Sequence, residues 1–172
     1  SFIPLNSTWK FDESGNNLGT EWRATNFNDT TWLFGPALLA DEDSTVAEPI
    51  RTELNVSSSK RTFYFRTKFF VDPSLTVSGL QASHFIDDGA VFHLNGQEVA
   101  RYNMPQGPIA FDTLAANDVG NARLQGPFLW PVEFLRPGEN TLAVEVHQER
   151  SSSSDIVFGL LLEGLVLTND AA

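Results

Sequence analysis

The chain has 172 residues, 22 Asp and Glu against 11 Lys and Arg, a net charge of -11, and no cysteine. That length buries one core and is short for two, and an acidic field without a Lys/Arg run sets nucleic acid and anionic lipid aside as partners. The missing thiols exclude disulfides, thiolate zinc sites and a cysteine nucleophile, and no apolar stretch is long enough to span a bilayer.

The predicted elements follow in chain order. Trp9-Lys10-Phe11 reads as strand, with Trp9 in the core. A short helical turn is expected near Asp29 to Leu33, and Ala37 to Lys60 is a long, weakly patterned loop. Thr62 to Val71 alternates cleanly, Phe63, Phe65, Phe69 and Val71 on one face and Tyr64, Arg66 and Lys68 on the other, the period-2 signature of a strand with two different faces. Asp72-Pro73-Ser74 stops it, because proline cannot donate to a ladder. Leu80 to Ile86 is the next strand, and Asp87-Asp88-Gly89 marks a sharp turn. Ala90 to Leu94 and Gln97 to Tyr102 then form a hairpin about Asn95-Gly96, two residues that tolerate the positive φ of a type I′ turn. Pro105 to Pro131 is a second long loop, with a short helical stretch near Thr113 to Asp118. Pro137-Gly138-Glu139-Asn140 turns the chain into Thr141 to His147, where Leu142, Val144 and Val146 face inward and Glu145 and His147 outward. Ile156 to Leu162 closes the series as a nearly continuous apolar strand. Many short strands separated by Gly/Pro turns predict an all-β fold, a single antiparallel β-sandwich over residues 1–172. The start at Ser1 without a signal peptide predicts a segment excised from a larger protein.

These residues also carry a resemblance. The order Trp9, Trp22, Phe27-Asn28-Asp29, Trp32 and Gly35, then Tyr64-Phe65-Arg66, then Asp87-Asp88-Gly89-Ala90 with Leu94-Asn95-Gly96, then Gly138-Glu139-Asn140 leading to Val144-Glu145-Val146-His147, resembles the galactose-binding-domain-like jelly rolls appended to secreted bacterial hydrolases and surface proteins. The resemblance runs from Trp9 to Leu162. It implies a galactose-binding-like jelly roll, secreted or on the bacterial cell surface, that binds polysaccharide or oligosaccharide without catalysis and holds a parent catalytic domain on glycan. It also implies a structural calcium ion near the first and last strands. Fold analogy carries function only by association, so a structural sandwich that packs on a neighbouring catalytic domain without touching sugar stands as the alternative.

A sugar ring needs an aromatic plane to stack on and planar polar groups to read its hydroxyls. Trp130, between Pro127 and Pro131 at the close of the longest loop, is the expected stacking residue, with Tyr102 second. Arg101 and Asn103 flank Tyr102, and His147 and Gln148 end another strand; convergence of the two strand ends would gather all six at one site. For calcium, Asp12, Asn17 and Thr20 lie in an oxygen-rich turn that Glu163 on the last strand would complete. Asp41-Glu42-Asp43 and Asp87-Asp88 are further acidic options, read as a solvated loop and as turn chemistry. His84, His93 and His147 lack metal-ligand spacing, and neither a Gly-x-Ser-x-Gly elbow nor a phosphate loop occurs. A carboxylate pair of the glycosidase kind does not stand out from the acidic background, so the expectation is a protein that is not an enzyme.

Overall fold

The computed structural model describes residues 1–57 and 59–167. Its strands are β1 (Thr8–Asp12), β2 (Leu33–Pro36), β3 (Leu39–Asp41), β4 (Thr52–Glu53), β5 (Thr62–Val71), β6 (Val77–Asp87), β7 (Gly89–Leu94), β8 (Gln97–Tyr102), β9 (Gln125–Trp130), β10 (Gly138–His147) and β11 (Ile156–Val166). They build a β-sandwich. One sheet has the order β2-β1-β5-β10-β7-β8 and the other β4-β3-β11-β6-β9. All pairings are antiparallel except β3 with β4.

The alternation read from the sequence sets what faces the interior. Phe65 of β5, Phe92 of β7, Val144 of β10 and Phe158 of β11 all enter one buried cluster. Phe158 stacks on Phe65 with ring centroids 4.0 Å apart and receives Trp9 edge-on at 4.8 Å. Each such ring, taken fully out of water, stabilises the fold by about 1.5–3 kcal/mol.

Three sequence expectations change. The sharp turn at Asp87-Asp88-Gly89 is not a reversal within one antiparallel ladder: β6 and β7 belong to different sheets, so this corner carries the chain across the sandwich. The two long loops contain strands, β3 and β4 in one and β9 in the other. Among the described residues the regular helical turn is a 3-10 segment at Glu21–Arg23, whereas 29–32 and 113–118 form turns and irregular backbone and Leu33 already begins β2.

Three of the four outer strands are poor templates for further pairing. β4 has two residues, β2 ends in Pro36, and β9 contains Gly126-Pro127.

Candidate functional site

The outer face of the six-stranded sheet is polar, and strand register lines its side chains into rows. Lys10, Arg66, Ala143 and His93 occupy one row across β1, β5, β10 and β7; Asp12, Tyr64, Glu145 and Val91 occupy the next. Ala143 is the small member, and it leaves room for Trp22, which the 3-10 turn lays onto Tyr64 and Ala143. Trp22 is fully buried there, and its indole N–H donates to the Gly19 carbonyl at 3.1 Å. Beside it, Glu145 accepts from Arg23 at 3.1 Å. His93 stays neutral, because burial first and the Arg23 charge second pull its pKa down to about 4, outweighing Glu145.

Past Phe27 the sheet face opens into a groove of about 680 Å³, lined among others by Lys10, Phe27, Asn28, Asp29, Thr30, Phe34, Arg66 and Lys68. Asp29 organises its floor. One carboxylate oxygen accepts from Lys10 Nζ at 2.6 Å and the other from Arg66 Nε at 2.8 Å. Burial opposes its charge, but the hydrogen bonds and charges of Arg66 and Lys10 outweigh that and hold Asp29 below the usual carboxylate range. Arg66, almost fully buried, also donates to the Trp22 carbonyl and stacks on Phe27, 5.3 Å from the ring centroid. The outer wall is Phe34 of β2, 73% exposed. The groove thus offers aromatic surface next to groups that donate and accept hydrogen bonds.

The residues expected from the sequence to form one site divide into two places. Arg101, Tyr102 and Trp130 do meet, with His84, Phe92, Phe128 and Leu129, around a 260 Å³ cavity between the edge strands β8 and β9. Trp130, however, is 5% exposed and packs on Phe92 at 4.8 Å, so it is a core residue and its ring presents no stacking face. The prolines around it signalled a loop, but Leu80 pairs with it and draws it under the sheet edge. Arg101 is already engaged, donating to Glu98 and to the Pro105 carbonyl. Burial lowers the His84 pKa to about 4 among these rings.

Asn103, His147 and Gln148 lie apart from that cavity. Asn103 donates to the Asp88 and Asn117 carbonyls at 3.1 and 2.6 Å and clamps the loop after β8. His147 and Gln148 are fully buried; His147 Nδ1 lies 2.7 Å from the Thr113 carbonyl and Gln148 Nε2 donates to the Asp155 carbonyl at 2.7 Å. These three hold loops onto the sheet.

The residues expected to ligate calcium are also separated. Asp12 accepts from the Ser14 N–H and hydroxyl, and Asn17 from the Gly19 N–H, so both close local turns. Thr20 offers its carbonyl to Arg23 N–H at the start of the 3-10 turn. Glu163 sits on β11 of the other sheet, exposed on the side opposite core-facing Leu162. The thickness of the sandwich lies between it and Asp12, and no shared ion fits this set. A different acidic group does assemble, with one ligand atom each from Glu42, Asp87 and Asp155 within 4.8 Å of one another. Burial first, then the charges of Asp88, Asp155 and Glu42, pushes the Asp87 carboxyl far above its ordinary range. Asp88 is satisfied, accepting from the Val119 and Glu149 N–H groups at 2.8 Å each.

Sequence reasoning missed Asp29 and Phe34 as groove residues and Trp22 as the plug beside it. Tyr64, Arg66 and Lys68 on one face of β5 were the available signal, since charges on a strand's outer face need partners from whatever covers it.

No family model matches the chain, and no curated protein matches it by sequence. Solved structures match by fold. A β-glycosidase from Bacteroides vulgatus superposes with a TM-score of 0.53 at 15% identity, over 93% of this chain and 20% of its own. A β-glucuronidase from Ruminococcus gnavus, in complex with uronic isofagomine, gives a TM-score of 0.52 at 15% identity, over 83% of this chain and 20% of its own. The same enzyme with uronic deoxynojirimycin gives 0.52 at 15% identity, over 84% and 21%. The chain spans about a fifth of the length of these glycosidases and shares its β-sandwich fold with that portion.

Proposed function

We propose that this chain is a non-catalytic saccharide-binding sandwich of the galactose-binding-like jelly-roll type, working beside a glycoside-hydrolysing catalytic domain outside the bacterial cell. The observation that carries this reading is the groove where Phe27 and Phe34 adjoin Lys10, Asp29, Arg66 and Lys68. The apolar C–H face of a sugar ring packs on exposed Phe34, and its hydroxyls exchange hydrogen bonds with Lys10, Asn28 and Lys68 along the floor and rim. The Lys10-Asp29-Arg66 chain is satisfied before ligand arrives, so binding does not have to order it. A small polar ligand exchanging hydrogen bonds with water binds at about micromolar to millimolar Kd. The glycosidases that share this fold give the reading its context, a sandwich as one part of a longer sugar-processing chain.

The test is retention on a panel of soluble and insoluble polysaccharides, run with wild type, Phe34→Ala, Lys68→Ala, and Tyr102→Ala and Leu129→Ala in the edge cavity. The groove reading expects retention on one glycan class, weakened about fivefold or more by Phe34→Ala and unchanged by the edge-cavity variants. Loss through Tyr102→Ala and Leu129→Ala alone would move the site to the β8/β9 edge. The alternative is a packing module, which the consecutive exposed Leu33 and Phe34 on β2 favour. It expects no retention on any glycan and direct association with a catalytic domain that Phe34→Ala weakens.

A further inference from the structure

We propose that Glu42, Asp87, Asp155 and the side-chain carbonyl of Gln148 form a calcium site that ties three segments at one end of the five-stranded sheet. Strand pairing makes it. β11 lies between β3 and β6, with Ile156 opposite Asp41 and Val157 opposite Asp87. Glu42 leaves β3 one residue past Asp41, and Asp155 enters β11 one residue before Ile156, so the antiparallel ladder delivers both to the same end. Asp87, the last residue of β6, arrives there from the other side.

The second observation concerns what these oxygens lack. Asp87 is 1% and Gln148 0% exposed, yet Asp87 Oδ2 and Gln148 Oε1 have no hydrogen-bond partner, and the buried Glu42 Oε2 also has none. The other ends of these groups are fixed. Glu42 Oε1 accepts from the Ser44 N–H at 2.7 Å, Gln148 Nε2 donates to the Asp155 carbonyl, and Asp155 Oδ1 accepts from the Ser153 hydroxyl at 3.0 Å. An unpartnered buried acceptor costs about 1–3 kcal/mol, more when charged; Gln148 is anchored to the cluster through the Asp155 carbonyl, and a cation there would satisfy the group. The three carboxylate ligand atoms span no more than 4.8 Å, a separation one ion bridges with oxygens at about 2.4 Å.

The donor set selects the metal. It contains carboxylate and amide oxygens and no nitrogen or sulfur, as hard cations require. Carboxylates that can bind through one or both oxygens, two of them on loops, suit the six to eight ligands of calcium, with water completing the shell, better than the rigid octahedron of magnesium. The ion would join the segment after β3 and the β10–β11 connection to β6. It belongs to the five-stranded sheet, whereas the groove lies on the outer face of the six-stranded one, so the two assignments stand or fall separately.

The experiment is calorimetric titration of the EDTA-treated, dialysed chain with calcium chloride, and with magnesium chloride in parallel, followed by thermal melts in calcium and in EDTA. The expected result is one calcium per chain, at least tenfold weaker magnesium binding, and a Tm about 5–10 °C higher at saturating calcium. Glu42→Gln and Asp155→Asn should each weaken calcium binding tenfold or more, while Asp12→Asn leaves it unchanged. Glu42 and Asp155 are both partly exposed, so neither substitution truncates the core, and the wild-type titration needs no variant. No binding and no Tm shift up to 10 mM (roughly the weak limit of extracellular calcium modules) would overturn the assignment. So would binding that survives both Glu42→Gln and Asp155→Asn.

Discussion

Trp22 meets Tyr64 edge-on, ring centroids 4.8 Å apart, and by doing so turns part of an outer sheet face into a second buried layer. The contact joins a loop to the centre of β5. Burial, and next the neighbouring Glu145 charge, push the Tyr64 phenol up to about 12, so the hydroxyl stays protonated at neutral pH.

Trp22→Ala should therefore behave as a core truncation, costing about 3–5 kcal/mol. Urea unfolding followed by circular dichroism measures this. The same variant admits water to His93, whose pKa should rise from about 4 toward its ordinary 6.5, visible in its ring NMR signals. A stability loss within about 0.5 kcal/mol would show that the loop rests on the sheet without holding it.

His84, His93 and Asp29 should each withdraw stability as pH falls. His84 and His93 are neutral when folded, both with pKa lowered to about 4 by burial. A group with a depressed folded pKa contributes stability that is complete above its unfolded value, near 6.5, and is lost as pH falls toward 4; each contributes at most about 3 kcal/mol. Asp29, also held below its ordinary 3.8, adds a second loss beneath that pH. Urea midpoints from pH 7.5 to 3 test this, and His84→Phe should flatten the upper step. Asp87, whose carboxyl is raised in the fold, works in the opposite sense over the same window, so the histidine step is read as the difference between wild type and His84→Phe; identical pH profiles of the two would contradict it.

Asp29→Asn should cost about 2–4 kcal/mol, because Arg66 is almost fully buried and loses its carboxylate partner. Lys10 is 40% exposed at its side chain and recovers water. Accordingly, Lys10→Met should cost within about 1 kcal/mol. Equal losses from the two variants would mean that Asp29, not Arg66, is the strained partner.

Phe34→Ala and Trp130→Ala should separate binding from folding. Phe34 is 73% exposed and Trp130 5%. The first should change stability by no more than about 0.5 kcal/mol while reducing glycan retention; the second should cost about 3–5 kcal/mol in unfolding free energy. Both readouts come from the same preparations, denaturant titration beside affinity retardation.

Strand content was legible wherever one face of a strand meets the core and the other does not. Thr62–Val71 and Gln97–Tyr102 match the sequence reading residue for residue, because their alternation and flanking turns are local signals. β9 was not legible: Gly126-Pro127 inside it reads as loop, and only its position at a sheet edge lets proline forgo a ladder bond. Asp87-Asp88-Gly89 announced a reversal without showing that the chain changes sheets there. The site residues were hidden for the same reason. Nothing local in Asp29 points to Arg66, 37 residues away, or in Glu42 to Asp155; strand order brings them together. Trp130 shows the reverse error, a loop-like context around a residue that the Phe92 ring pulls into the interior.

The blunted edges bear on crowding. A two-residue β4, the terminal Pro36 of β2 and the proline within β9 deny an incoming chain the unbroken row of donors and acceptors it would need to add a strand. That leaves β8, six residues without a proline, as the edge through which any strand-to-strand pairing between two copies would have to run.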